Sequence, residues 1–350
     1  MPALSNSTAP PPKVLVTGAN GFVAMWVVRT LLERGFSVKG QVRSAVKGEH
    51  LVRYFKDHEG RFELVVVPDI AEEGAFDAAV MDVSGVIHMA SPVSFDVEDP
   101  QDLIRPALNG TLGVLKSALK HGRSIQRIVV TASVASIVED RDTPTVFSEA
   151  DWNTQAVRDI EANGAAASAM SKYRASKTLA ERAAWDFVEE HKSEIGWDLT
   201  VINPPMIFGP VIHEVTTPSA LNFSAIAWYT CVATPDMGGK PKEFILARRL
   251  CWVDVRDVAE AHVRALEKEA AGGKRIIASA GSLCWQEFIN TANALPTKHT
   301  LPRGFPDDEM PTVAHLLYDA TRSKEVLGMS YRTMEETTRD ILADYDARGW

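Results

Sequence analysis

Twelve residues near the start of the chain, Lys13-Val-Leu-Val-Thr-Gly18-Ala-Asn-Gly21-Phe-Val-Ala24, restrict its fold more than any other segment. A short apolar run, long enough for a buried strand, meets two glycines and then gives way to helical periodicity. Gly18 permits a tight turn, Gly21 lets a backbone approach a pyrophosphate at the positive end of the helix, and small Ala24 lets that helix pack closely on the strand. The spacing is G-x-x-G-x-x-A, and taken alone it fits any strand-to-helix turn. Its place on the first strand of an alternating chain makes Gly18, Asn20, Gly21, Phe22 and Val23 candidates for holding a dinucleotide.

The alternation continues downstream. Strands are expected at Val14–Thr17, Ser37–Val42, Phe62–Val67, Gly85–Ala90, Arg127–Thr131 and Leu199–Asn203, separated by helices at Phe22–Arg34, Glu72–Val80, Leu103–His121 and Ser171–Lys192. β-branched runs between amphipathic segments predict an α/β protein with a Rossmann-type, doubly wound parallel sheet covered by helices on both faces. After Asn203 the texture changes, because Pro204-Pro205, Gly209-Pro210, Pro218, Pro235, Gly238-Gly239 and Pro241 interrupt regular structure. The expected organisation is a flexible lead-in (1–12), a nucleotide-binding domain (13–203) and a smaller, interleaved substrate-binding lobe (204–350), with 247–270 packing back on the first domain. In the lobe, helices are expected at Val255–Lys268 and Met334–Ala347 and a strand at Arg275–Ser279.

Composition removes several classes of function. The 350 residues carry a formal net charge of -9, so the basic surface on which phosphate-backbone affinity depends is missing and nucleic acid is not an expected partner. Cys231, Cys251 and Cys284 are odd in number and far apart, in no spacing that reads as a metal site or a disulfide framework. Met1 to Pro12 has neither the basic nor the apolar region of a signal peptide, and the longest apolar stretch, Ala220 to Ala233, is interrupted by Asn222, Ser224 and Thr230. A cytoplasmic protein with no membrane partner is expected.

The end of the second strand distinguishes between cofactors. NAD enzymes usually place a carboxylate there for the adenosine ribose; this chain has Gln41-Val42-Arg43-Ser44, and between Phe36 and Gly48 it has Arg43 and Lys47 but no acidic residue. A guanidinium fork suits a 2′-phosphate, so the expected cofactor is NADP(H); a solvated surface charge is the alternative for Arg43.

Tyr173-Arg-Ala-Ser-Lys177 puts a phenol and an ammonium one helical turn apart on one face. An adjacent cation would favour the phenolate and make Tyr173 a usable proton donor, although most such pairs only decorate a helix. Ser133 follows the fifth strand at its carboxyl end, where open α/β sheets bind ligands, and its hydroxyl could donate to a carbonyl oxygen.

Together with Val67-Pro-Asp69-Ile70, His88-Met-Ala90-Ser91-Pro92-Val93, Pro106-Ala-Leu-Asn109-Gly-Thr, Asn203-Pro204-Pro205-Met206 and Trp252-Val-Asp254-Val-Arg-Asp257, these segments resemble the extended short-chain dehydrogenase/reductase superfamily. The similarity is to its dihydroflavonol-reductase-like branch and the fungal aldehyde and carbonyl reductases, from about Lys13 to Tyr345. The resemblance implies that Asp69 and Ile70 flank the adenine, that Ala90, Ser91, Pro92 and Pro204 line the nicotinamide site, that Lys177 also binds the nicotinamide ribose, and that Asn109 holds a water in a proton relay behind the lysine. Ala132 stands where many relatives carry a second hydroxyl, and Val134 and Met206 stand where some carbonyl reductases have tyrosines. Phe95, Val134, Met206, Phe223 and Trp228 are candidates for the substrate-pocket wall or, equally, for ordinary core. The function implied is reduction of a small aldehyde or ketone by a monomeric enzyme; a same-fold isomerase, dehydratase or hydroxysteroid-type dehydrogenase, and a non-catalytic NADP sensor, are the alternatives.

Overall fold

The computed structural model describes residues 4–5, 10–58, 60–91, 97–248 and 250–350. The first half runs β1 (Lys13–Val16), α1 (Phe22–Glu33), β2 (Ser37–Val42), α2 (Ala45–Tyr54), β3 (Phe62–Val66), β4 (Gly85–His88), α3 (Gln101–His121), β5 (Arg127–Thr131), β6 (Thr145–Phe147), α4 (Gln155–Asn163), α5 (Ala169–Glu190) and β7 (Asp198–Asn203). The second half runs β8 (Met206–Phe208), α6 (Phe223–Trp228), α7 (Lys242–Leu246), β9 (Leu250–Asp254), α8 (Val255–Glu267), β10 (Lys274–Ile277), β11 (Gly281–Leu283), α9 (Trp285–Asn293), β12 (Leu316–Tyr318), α10 (Thr321–Leu327) and α11 (Met334–Arg348). Seven strands form one parallel sheet in the order β3-β2-β1-β4-β5-β7-β10. The order reverses between β1 and β4, and in such sheets ligands settle in the crevice outside the strand ends at that point.

Successive side chains of a strand point to opposite faces, and β1 uses both. Val14 and Val16 join the core under α1, with Met25, Val28 and Leu31, while Leu15 joins the second core with Phe76, Val114, Phe187 and Trp197. A strand buried on both sides must be apolar throughout, which is why β1 and β5 show continuous rather than alternating hydrophobicity. The smaller lobe rests on an aromatic cluster in which Phe208 and Phe288 each lie within 6.5 Å, by ring centroid, of Trp252, of Trp285 and of each other. Arg127, fully buried in β5, clasps Asp198 with two nitrogens and donates to the carbonyls of Ala265 and Lys268, fastening the end of α8 to the sheet.

Three expectations need correction. Glu72–Val80 is a chain of turns instead of a helix: Gly74 sits at φ 74° and the Asp77 amide closes a short turn onto its carbonyl, although buried Phe76, Ala79 and Val80 imitate helical spacing. The strand foreseen in the smaller lobe at Arg275–Ser279 is β10, the seventh strand of the main sheet, because its Ile276 and Ile277 find a buried partner in β7. Within the lead-in, Leu4 is docked, 3% exposed, with its amide donating to the Leu266 carbonyl at 3.0 Å. The sequence reading also missed α2, which buries only Gly48 and Leu51 and so shows a weak apolar stripe.

Leu4 fits over Gly85, where even a Cβ would come within 2.8 Å of its side chain. Leu4→Ala should therefore destabilise the protein by about 2 kcal/mol, the low end for a buried leucine because the site lies near the surface. A urea titration should show a lower midpoint with unchanged slope.

Candidate active site

The strand-to-helix turn is held by side chains from neighbouring strands. Gly18 has φ 62°, and a Cβ there would lie 3.1 Å from the Ala90 Cα, so only glycine allows the ends of β1 and β4 to approach this closely. Thr17 Oγ1 accepts from the amides of Met89 and Ala90 at 2.9 and 3.0 Å. Gln41 accepts from the Gly18 amide at 2.9 Å and donates to the Val67 carbonyl at 3.1 Å, bracing β1 against β2 and β3. These ties open a cleft of about 470 Å³ over the strand ends, lined by Gly18, Asn20, Arg43, Asp69, Ile70, Ala90 and Ser91, and also by Gln41, Pro68 and Pro106. Seven residues selected from the sequence thus share one wall. Gln41 was quoted in the sequence only as a missing carboxylate; a buried amide in a β-branched strand was the signal for its bracing role.

The cleft suits a dinucleotide. Gly21 precedes α1, whose positive end faces the turn, and Arg43 is exposed at the far end with no carboxylate paired to it among the described residues. Phe22 is buried against His213, with ring centroids 5.4 Å apart, and Val23 packs on the main core, so these two secure the turn by their side chains. Lys47 is exposed on α2, outside the cleft lining.

Next to Ser91 of the cleft wall, through Lys177, stand the polar groups that can do chemistry. Ser133 follows β5 and its hydroxyl accepts from the Ala135 amide at 3.1 Å. Ser168 caps α5 by accepting from the Ser171 amide at 3.0 Å, and that start sets the helical phase at which Tyr173 and Lys177 share a face. The Tyr173 and Ser133 hydroxyls are hydrogen-bonded. Lys177 Nζ donates to Ser91 Oγ at 2.9 Å and lies 5.8 Å from the centre of the Tyr173 ring. Pro204 is buried beside them, its carbonyl accepting from the Val134 amide at 3.1 Å.

The electrostatics differ from the expectation that Lys177 would lower the phenol. Burial pushes Tyr173 above its ordinary value, and only the Ser133 hydroxyl pulls the other way. Lys177 itself is pushed down to about 8 by burial. A group shielded from water resists ionisation, so the site holds a protonated phenol at neutral pH, which is the form an acid requires.

Behind Lys177 lies an enclosed chamber of about 20 Å³ lined by His88, Ser91, Thr111, Thr131, Lys177 and Glu181, among others. His88 is pushed to about 3, mainly by burial and further by Lys177, and is neutral; its Nδ1 meets the Thr17 hydroxyl at 3.0 Å. Since Thr17 Oγ1 already accepts two amides, its own proton goes to Nδ1, which leaves the proton of the neutral ring on Nε2. Asn109, expected here, is instead exposed on α3 in a separate hollow with Glu72, Asp77 and Lys116, and Thr111 occupies the inner position. The helix phase decides this: Gly110 packs on Ile70, where a Cβ would meet Ile70 Cδ1 at 2.9 Å, and turns Asn109 outward.

The pocket-wall candidates do not converge. Trp228 is fully buried, edge-on to Phe288 and Tyr345, and Val134 packs with Ile137, Phe147 and Tyr318; both belong to the core. Met206 is half-buried and Phe223 is 48% exposed. Phe95 and Pro92 lie outside the described residues.

Residues 14–281 match the NAD dependent epimerase/dehydratase family. The chain belongs to this family. Among relatives within it, a ketoreductase of Aspergillus niger is 36% identical over 338 residues, covering 94% of this chain and 96% of its own. An NADPH-dependent methylglyoxal reductase of Saccharomyces cerevisiae is 34% identical over 345 residues, with 94% and 97% covered. The crystal structure of a yeast methylglyoxal/isovaleraldehyde reductase complexed with NADPH superposes with a TM-score of 0.83 at 31% identity, over 96% of this chain and 99% of that one. The extended short-chain reductases that the motifs resemble are thus the chain's own relatives, and the Rossmann-type sheet is theirs.

Lys177 allows a test of the buried site by stability alone. Its ordinary value is 10.5 and burial lowers it to about 8, so the folded state disfavours the ammonium. That penalty is fully present below about pH 8 and fades as the pH rises from about 8 toward 10.5, where both folded and unfolded chains carry a neutral amine. The other ionisable side chains lining the chamber are neutral His88 and Glu181, which is paired with Arg275. Lys177→Met should therefore be more stable than wild type at pH 7, by up to about 3 kcal/mol, and the two should converge by about pH 10.5. Urea unfolding at pH 7, 9 and 10.5 measures the gap.

Proposed function

We propose that the protein is an NADPH-dependent reductase that converts an aldehyde or ketone to the alcohol, with Tyr173 as acid, Ser133 as carbonyl-oxygen donor and Lys177 as positioning group. One observation carries the reading: the cleft that presents Arg43 is also lined by Ser91, whose hydroxyl accepts from Lys177, and Lys177 lies over the ring of Tyr173, which is hydrogen-bonded to Ser133. The named relatives, a ketoreductase and an NADPH-dependent methylglyoxal reductase, and the NADPH complex of a structural neighbour, support the same chemistry.

The backbone of the Gly18–Gly21 turn and the positive end of α1 would hold the pyrophosphate, Arg43 the 2′-phosphate, Asp69 and Ile70 the adenine end, and Ala90, Ser91 and Lys177 the nicotinamide half. When bound, the reduced nicotinamide supplies the hydride for the carbonyl carbon. Ser133 donates a hydrogen bond to the carbonyl oxygen, which steadies the charge that grows there. Tyr173 then gives that oxygen its proton, and burial keeps the phenol protonated until then. The phenolate left behind faces Lys177, whose ammonium balances it.

The lobe that begins at residue 204 carries the substrate, and half-buried Met206 and exposed Phe223 favour an apolar carbonyl compound. The protein acts as a monomer in the cytoplasm: its exposed large apolar side chains, among them Val46, Met81, Val146 and Val313, are scattered over different elements, and its cysteines are free and buried.

Two substitutions test the assignment. Tyr173→Phe removes only the acidic hydroxyl and should lower kcat by about 10²- to 10⁴-fold with NADPH affinity nearly intact; following nicotinamide absorbance against a panel of aldehydes, aryl ketones and keto esters measures it. Arg43→Ala should weaken NADPH by about 10- to 150-fold and NADH far less, since the 2′-phosphate is the difference between them. Titration of both cofactors into both proteins decides it, and equal losses would mean that Arg43 merely supports its loop.

A further inference from the structure

Glu181 is 1% exposed on α5, one turn beyond Lys177, and takes no part in the chemistry described above. Its carboxylate gathers four elements. Oε1 accepts from Arg275 of β10 at 2.6 Å, and Oε2 accepts from Asn203 at the end of β7 at 2.9 Å and from the Ser136 hydroxyl in the turn after β5. Both of the latter donors also reach the Ser133 carbonyl, Ser136 Oγ at 2.7 Å and Asn203 Nδ2 at 3.3 Å. Arg275 is fixed in turn by the carbonyls of Glu149 and Asp151 and by the Trp152 ring, whose centre lies 3.6 Å from the guanidinium carbon.

The hydrogen bonds divide unevenly. Ser136 has one proton and two acceptors, and an ionised carboxylate is the stronger acceptor. Ser136 therefore gives its proton to Glu181, and Asn203 gives one proton to Glu181 and has the Ser136 hydroxyl at 3.2 Å and the Ser133 carbonyl at 3.3 Å for its other. Two of the three paths from Glu181, through Ser136 and Asn203, end on the residue that carries the oxygen donor or on the strand end before Pro204, the third anchors it to β10 through Arg275, and its own helix carries Tyr173 and Lys177. A buried ion pair of this kind adds little net stability, since desolvation cancels most of the attraction; what it supplies is a fixed arrangement.

We infer that Glu181 is a positioning residue for the reduction: its carboxylate oxygen sets the separation between the Ser133 turn and the helix face bearing Tyr173 and Lys177. The inference rests on the reductase reading of that site. It is tested with two double variants that share Arg275→Met and differ in whether position 181 offers an acceptor. Glu181→Gln/Arg275→Met keeps an amide oxygen for Ser136 and Asn203 and should retain kcat within about 3-fold of wild type. Glu181→Met/Arg275→Met has no acceptor and should lose kcat by about 10- to 100-fold, as expected for reacting groups displaced by part of an ångström. In both, the dissociation constant for NADPH and the melting temperature should match each other closely. Equal kcat in the two variants overturns the inference, and so does a loss of kcat that follows weaker NADPH binding or a lower melting temperature. If the double variants do not fold, Ser136→Ala carries the test: kcat should fall about 3- to 10-fold at unchanged NADPH affinity, and an unchanged kcat overturns the inference. A wild-type protein that reduces no carbonyl substrate would instead refute the reductase reading itself.

Discussion

The ends of β1 and β4 come together at Gly18 and Ala90, where the left-handed backbone of Gly18 and a 3.1 Å approach for any Cβ favour glycine, and the rest of the site is built around that contact. Because the two backbones nearly touch, Thr17 can reach past its own strand to hold the amides of Met89 and Ala90, and His88 is locked to the same hydroxyl. Gln41 extends the bracing to β2 and β3 through the Gly18 amide and the Val67 carbonyl. The carboxyl edge of half the sheet is therefore fixed before any ligand arrives, which is the form of preorganisation that makes fixed dipoles effective in a site. A turn held this way leaves amides pointing outward at the positive end of α1, and needs no basic side chain at the pyrophosphate.

Removal of water sets the charge state of the chemical end. His88 is held neutral, Lys177 is brought to about 8, and Tyr173 is held in its protonated form, each chiefly by burial. Glu181 is instead ion-paired with Arg275 and also accepts from Asn203 and Ser136. A carboxylate saturated with donors one turn beyond a buried lysine gives a rigid site, and the Ser133 and Tyr173 hydroxyls are held to each other by their hydrogen bond.

Features encoded over a few consecutive residues were legible in the sequence. The glycine turn, the spacing of Tyr173 and Lys177, the serine after β5 and the cation at the end of β2 each state a local geometry; the cleft holds the first and last, and Lys177, Tyr173 and Ser133 join it through Ser91. What depends on tertiary packing was not legible. The side of α3 that faces inward is set by Gly110 against Ile70, so Asn109 could not be placed by its position in a motif. Trp228 and Val134 look the same in sequence whether they line a pocket or fill a core, and only the neighbours Phe288, Tyr345 and Ile137 decide. Leu4 shows the same limit at the other extreme: a single leucine in a polar, proline-ended segment gives no periodic signal, yet it is buried against β4 and the end of α8.

In the proposed assignment, cofactor choice and chemistry fall to separate groups that obey different physics. Arg43 is exposed, so in the free protein its charge is screened by water and contributes little to folding; its effect appears only when a phosphate forms oriented hydrogen bonds with it. Lys177 is buried and Ser133 and Tyr173 are half-buried beside it, in contact with the sheet end and the Glu181 network. Under the proposed assignment, a change at β2 would alter which cofactor binds without disturbing proton donation, and a change in the lobe after Asn203 would alter which carbonyl compound fits without disturbing either. Because the two specificities are separable in this way, relatives on the same scaffold can share an acid and an oxygen donor and still act on different substrates.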